Sequence, residues 1–142
     1  MDQGPIARAV VERLGWFVVS TRLLIAVVDD EESIRRALGR LLRSAGHEVQ
    51  SYASGAEFLS SLSSGRPECL IVDVHMPGLT GFDVLARLRA DGVRLPAIVI
   101  TGFDEPDAES RAARLGAAKF LRKPVREDEL LDAVELAVSA TK

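Results

Sequence analysis

From Arg22 onward, five short apolar runs alternate with amphipathic stretches, and this alternation restricts the fold more than any other feature. Leu23–Val28 ends abruptly at Asp29-Asp30, as a strand buried on both faces does. Ile34, Leu38, Leu41, Leu42 and Ala45 then recur with helical spacing, and Gly46 closes the stripe. His47–Tyr52 reads as a weaker second strand. Ser54 and Glu57 form a capping box for a helix through about Ser63, followed by the loop Ser63-Ser64-Gly65-Arg66-Pro67. Cys69–Val72 is a third strand, ending at Asp73. After Pro77, Gly78 and Gly81 comes a helix carrying Val84, Leu85 and Leu88. Pro96–Thr101 is a fourth strand. Pro106 is expected in the first turn of a fourth helix that closes near Gly116. Ala117–Leu121 is a fifth strand, which Pro124 stops, and Leu130, Leu131, Val134, Ala137 and Val138 share one face of a last helix.

Strands and helices in strict alternation imply an α/β domain with a five-stranded parallel sheet covered on both faces by five helices. Right-handed crossovers leave the doubly wound, flavodoxin-like order 2-1-3-4-5 as the expected topology. The 142 residues suffice for one such domain, assigned to 22–142, and leave no room for a second core. Residues 1–21 form an N-terminal extension, either flexible or with a short helix over Ile6–Leu14 ended by Gly15.

Composition excludes several classes. A net charge of −3 is not the basic footprint of a nucleic-acid binder. The one cysteine, Cys69, cannot form an internal disulfide, and His47 and His75 lack metal-ligand spacing. Arg8, Glu12 and Arg13 interrupt any signal-peptide core, and the apolar run Trp16–Val28 is too broken to span a bilayer. A cytoplasmic location is expected.

The chemistry sits at the strand ends. Asp29 and Asp30 follow the first strand, Asp73 the third, Thr101 ends the fourth and Lys123 follows the fifth. In an open parallel sheet, ligands bind beyond the carboxyl ends of the strands, where the strand order reverses. Here that point lies between strands one and three, so Asp29, Asp30 and Asp73 should meet there. Crowded carboxylates raise one another's pKa, and a hard divalent cation such as Mg²⁺ relieves the conflict. Asp73 is then placed as an oxygen nucleophile, Lys123 as a compact charge for phosphoryl oxygens, and Thr101 as a hydroxyl donor. Taken singly, each has an ordinary explanation: acids favour helix N-termini, Asp suits turns, Thr suits strands, and lysine is usually solvated. Their convergence on one edge of the sheet outweighs those explanations.

The stretches Val27-Val28-Asp29-Asp30-Glu31, Leu70 through Gly78, Gly81, Ile100-Thr101-Gly102, Gly116-Ala117 and Phe120-Leu121-Arg122-Lys123-Pro124 carry a resemblance. Over about residues 22–140 the chain resembles the receiver domains of two-component response regulators, which have a CheY-like fold. Phe58-Leu59 and Leu95-Pro96-Ala97-Ile98 are similar to the FixJ-type branch. The resemblance implies that Asp73 is the phosphoacceptor, with Mg²⁺ held by Asp30 and Asp73, by Asp29 mostly through water, and by the His75 backbone carbonyl. It further implies that Thr101 bonds the phosphoryl group, that Phe120 is the aromatic switch and that Lys123 is the ion-pairing lysine. His75 and Phe103, each two residues beyond a site residue, are expected to influence phosphoryl lifetime.

The expected function is therefore a receiver phosphorylated by a histidine kinase or histidine phosphotransfer protein, not a turnover enzyme. Its output would pass through the fourth helix, fifth strand and fifth helix, which could also form a homodimer. FixJ-type regulators usually carry a DNA-binding domain after the receiver. Only one helix's length follows Lys123 here, so a stand-alone receiver without direct DNA binding is expected. Three rival readings fit the residues less well. An FMN carrier needs a phosphate loop where this chain has Asp29-Asp30-Glu31-Glu32. A dehalogenase-like phosphatase needs a second acid where His75 stands. A phosphorylation-independent pseudo-receiver typically loses one of the residues that this chain keeps.

Overall fold

A computed structural model describes residues 9–11, 17–19 and 22–141. Its elements are β1 (Ala9–Val11), β2 (Phe17–Val19), β3 (Leu24–Val28), α1 (Glu32–Ser44), β4 (Glu48–Tyr52), α2 (Gly55–Ser61), β5 (Cys69–Asp73), α3 (Gly81–Ala90), β6 (Ala97–Thr101), α4 (Ala108–Arg114), β7 (Lys119–Arg122) and α5 (Glu127–Thr141). A 3₁₀ turn, Leu62–Ser64, extends α2. The main sheet is parallel, in the order β4-β3-β5-β6-β7, which is the expected 2-1-3-4-5 arrangement. No described helix is long and apolar enough to cross a membrane.

The central strands β5 and β6 are buried at every position because both faces of the sheet are covered. On one face Ile25, Val27, Ile71, Ile98 and Ile100 pack against Leu38 and Leu42 of α1 and Leu130, Val134 and Ala137 of α5. On the other, Val28, Leu70, Val72 and Val99 meet Phe58 of α2, Val84, Leu85 and Leu88 of α3, and Ala108 and Ala112 of α4. Each fully buried side chain of this size contributes about 1.5–3 kcal/mol. The strand backbones are thereby held rigidly, and so are the acids at their ends.

Local chemistry sets the element boundaries. α1, α3 and α4 end the same way, with Gly46, Gly92 and Gly116 at positive φ. In each, the next amide bonds back into the last turn: His47 N to Leu42 O at 3.1 Å, Val93 N to Leu88 O at 2.9 Å and Ala117 N to Ala112 O at 3.0 Å. This corrects the expected strand Ala117–Leu121. The Ala117 amide is committed to closing α4, so β7 begins at Lys119. Pro106 likewise lies ahead of α4 and not in its first turn: Glu105 O accepts from Ala108 N at 3.2 Å, and the helix starts at Ala108. Ser54 caps α2 by accepting from Glu57 N at 3.1 Å, but the expected box is only half formed, because Glu57 Oε1 accepts from Ala53 N at 3.3 Å and not from the cap residue. Thr80 with Asp83 forms a full capping box on α3.

The N-terminal expectation needs a further correction. Within Ile6–Leu14, Ala9–Val11 is a strand and not helix; the rest of that stretch lies outside the described residues. Ala9–Val11 pairs antiparallel with Phe17–Val19. Valines and an aromatic residue suit a pleated ribbon better than a helix.

The start of β3 is held by side chains. His47 Nδ1 accepts from Leu23 N at 3.1 Å and Glu68 Oε1 accepts from Leu24 N at 2.8 Å. Burial lowers the His47 pKa below 6.5, against a smaller opposing pull from Glu135. The unfolded chain therefore binds the proton more readily, and the His47 contribution to stability is lost as pH falls below 6.5. Urea titrations of wild type and His47→Gln at several pH values should show a shallower pH dependence in the variant over that range. Identical slopes would contradict the assignment.

Candidate functional site

Asp29 follows β3 directly, and its contacts are fixed from several directions. Its amide donates to Tyr52 O at 3.1 Å, its Oδ1 accepts from Glu31 N at 2.9 Å, and its carbonyl accepts from Arg35 Nη1 at 2.7 Å. Its Oδ2 is buried and receives no hydrogen bond; Lys123 Nζ faces it as an ion partner at 3.0 Å. Asp30 is exposed beside it. Asp73 ends β5 and is 3% exposed. One carboxylate oxygen from each of Asp29, Asp30 and Asp73 lies within 4.8 Å of the others, so the three acids of two separate strands do converge.

Lys123 completes the cluster from the end of β7. Its Nζ is 3.4 Å from Asp73 Oδ1 and 3.6 Å from Glu31 Oε1. The Lys123 amide donates to Thr101 O at 2.8 Å, joining the two strand ends. Burial pulls the ammonium pKa down, but the close negative charge of Asp29, together with that of Asp73, more than offsets it and holds Lys123 above its ordinary value. For Asp73 the balance is reversed. Burial first, then the charge of Asp29, push its pKa from 3.8 up to about 6, although Lys123 pulls the other way.

The donor set fits a hard divalent cation. It is all oxygen, it is strongly acidic, and Asp29 Oδ2 is a buried acceptor with no hydrogen bond to satisfy it. Thr101 is 1% exposed, and its hydroxyl engages its own loop, accepting from Phe103 N at 3.1 Å and donating to Phe103 O at 3.4 Å. The His75 side chain meets the ring of Phe103 edge-on at 4.5 Å between centroids, with Nε2 3.5 Å from Glu105 Oε1. Phe120 is not in the cluster. It is partly buried against the core, paired in register with Val99 and overlain by Arg122.

Three site neighbours escaped the reading of the sequence. Glu31 and Arg35 were within reach of it, since a helix that begins just after Asp30 brings its first turns back over the strand end. Glu105 carried no signal, because its approach to His75 joins two loops of unrelated sequence.

Comparisons with known proteins bear on the family and the fold. The family model for the response regulator receiver domain matches residues 25–135. Nodulation protein W of Bradyrhizobium diazoefficiens is 42% identical over 118 residues, covering 83% of this chain and 52% of that protein. Response regulator protein TodT of Pseudomonas putida is 36% identical over 115 residues, covering 81% of this chain and 51% of that protein. The chain thus spans about half the length of these curated relatives. Among solved structures, FixJ-N superposes with a TM-score of 0.77 at 31% identity, covering 82% of this chain and 93% of that one. Chemotaxis protein CheY4 of Vibrio cholerae gives 0.74 at 30% identity, covering 80% and 97%.

Proposed function

Because the chain belongs to the response regulator receiver domain family, we propose that Asp73 is its phosphoacceptor, in a reaction assisted by Mg²⁺ and supported by Thr101 and Lys123. The observation that carries this reading is the convergence of Asp29, Asp30 and Asp73 within 4.8 Å, with Lys123 Nζ 3.4 Å from the Asp73 carboxylate.

The donor is a phosphohistidine of a sensor kinase or histidine phosphotransfer protein. An Asp73 oxygen attacks phosphorus, a P–O bond forms, and the P–N bond breaks with its electrons passing to the imidazole, which takes up a proton. Asp30 and Asp73, with the His75 carbonyl, would hold the cation, and Asp29 would do so mostly through water. When bound, Mg²⁺ supplies charge neutralisation and orientation for the phosphoryl oxygens. Lys123 places a fixed positive charge beside the same oxygens, and the Thr101 hydroxyl is positioned to donate once it leaves the Phe103 backbone. That departure moves the β6–α4 loop and frees space for Phe120, so the surface of α4, β7 and α5 presents a different face to an effector or a second copy. Phe120 lacks a hydroxyl and acts through packing.

The test is incubation with acetyl phosphate and Mg²⁺, followed by intact mass measurement. Addition of one phosphoryl group is expected for wild type and none for Asp73→Asn or for protein held in excess chelator. Equal labelling of Asp73→Asn would overturn the reading.

Phe103 bears on how long the phosphoryl group lasts. Its ring is 61% exposed yet braced against His75, two residues from the acceptor. If this edge-on pair slows attack by water with a barrier contribution of about 1 kcal/mol, Phe103→Ala should lose phosphate about fivefold faster. Phosphate release after removal of acetyl phosphate measures it. An unchanged lifetime would show that the ring does not restrict water.

A further inference from the structure

Resting on the metal-assisted phosphoacceptor reading above, we infer that Arg35 is a positioning residue for the cation site. It holds the peptide unit between Asp29 and Asp30 and so sets how those two acids are presented. Arg35 Nη1 donates to the Asp29 carbonyl oxygen at 2.7 Å, at the short end for such a bond, as suits a charged donor. The residue reaches that point because α1 has just begun: Arg35 N bonds Glu31 O at 3.1 Å, one turn above the strand end. Its side chain is half-buried and makes no ion pair among the described residues.

The Asp29 carbonyl belongs to the planar unit that joins Asp29 to Asp30, so fixing its oxygen fixes the plane from which both residues depart. Asp29 has other anchors. Its amide donates to Tyr52 O at 3.1 Å, and its Oδ1 accepts from Glu31 N at 2.9 Å. Asp30 has none of its own. It is exposed and makes no hydrogen bond among the described residues. Glu31, which follows it, caps α1 without a side-chain bond. The acid with the least support from its own contacts therefore depends most on Arg35.

The choice of acceptor fits this role. An arginine close to carboxylates commonly forms a two-pronged ion pair with one of them. Here the guanidinium engages a neutral carbonyl, and no carboxylate oxygen of Asp29, Asp30 or Asp73 is taken up by it. Asp29 Oδ2 keeps Lys123 Nζ as its ion partner at 3.0 Å. The grip thus orders the acids without competing for their oxygens. By charge alone, a nearby guanidinium would weaken binding of a cation. Removing Arg35 should tighten binding if charge dominates and weaken it if positioning does.

The experiment measures binding of Mn²⁺, which suits the same oxygen donors, from the electron paramagnetic resonance signal of the free ion. Wild type is compared with Arg35→Met, Arg35→Lys and Arg36→Met. Arg35→Met should bind about tenfold more weakly, the scale on which groups that orient metal ligands act. Arg35→Lys keeps the charge without the planar reach and should fall between. Arg36→Met removes an equal charge from the exposed side of the same helix, where Arg36 meets Glu32, and should bind as wild type does. The Mg²⁺ concentration for half-maximal labelling by acetyl phosphate should rise in Arg35→Met by the same factor as the Mn²⁺ constant. A merely structural arginine would lower the melting temperature in chelator and leave the affinity of the folded protein unchanged. Binding by Arg35→Met equal to or tighter than wild type overturns the proposal, as does an equal loss in Arg36→Met. Where Arg35→Met does not fold, Arg35→Lys decides: an affinity equal to wild type overturns the proposal. If wild type binds no Mn²⁺, the metal-assisted reading fails first and the role of Arg35 falls with it.

Discussion

In chelator-treated solution at pH 7, Asp73→Asn should be more stable than wild type by on the order of 3 kcal/mol, or roughly 10 °C in melting temperature. Burial and the neighbouring Asp29 raise the Asp73 pKa from 3.8 to about 6, so the folded protein holds a proton that the unfolded chain has released. The stability linked to that proton is fully present below pH 3.8 and is lost as pH rises through about 6. At pH 7 the wild type therefore carries an ionised, buried carboxylate among like charges, whereas asparagine keeps the shape without the charge. Two measurements follow from one cause. The variant's unfolding free energy should be flatter between pH 4 and 7, and added Mg²⁺ should raise the melting temperature of wild type much more than that of the variant. A variant no more stable than wild type in chelator would mean that Asp73 does not bear this electrostatic load.

Gly81→Ala should destabilise the protein by about 3 kcal/mol and slow labelling by acetyl phosphate in the fraction that remains folded. A Cβ at Gly81 would collide with the Asp73 carbonyl oxygen and lie 3.1 Å from Val74 Cα. Both are backbone atoms of the strand end that holds the acceptor, so neither can turn aside as a side chain would. The same approach lets Gly81 N donate to Val74 O at 3.0 Å, just as Thr80 and Asp83 cap the helix. Gly78→Ala is the matched control. It meets no atom within 4 Å but has φ +78, so it should cost only about 1 kcal/mol of backbone strain. Equal melting temperatures for the two variants would show that the loop moves freely and that Gly81 does not constrain Asp73.

Much of this architecture was legible because it rests on short-range rules. The abrupt ends of the apolar runs Leu23–Val28 and Cys69–Val72 located the acids, and helical spacing of Leu38, Leu42, Leu130 and Val134 identified the faces that bury them. The boundaries around α4 were misplaced because two local signals competed. Ala117 belongs by composition to a strand, but its amide is taken by Ala112 O in the helix end. Pro106 is compatible with a first helical turn, yet the chain forms a separate turn there before Ala108. At Ala9–Val11 the helical reading gave way to pairing with Phe17–Val19, a partner that helical periodicity does not register.

Alternating apolar runs, punctuated by glycine and capped by acids, were enough to specify a doubly wound sheet and which strand ends carry chemistry, because burial and backbone hydrogen bonding act on neighbours in the chain. Distances were another matter. The 3.0 Å and 3.4 Å contacts of Lys123 with Asp29 and Asp73, the Arg35 grip on the Asp29 carbonyl, and the His75–Phe103–Glu105 contact each join segments that meet only when the sheet is assembled. The raised pKa of Asp73 belongs to the same class, since it comes from desolvation and from charges brought in by other segments.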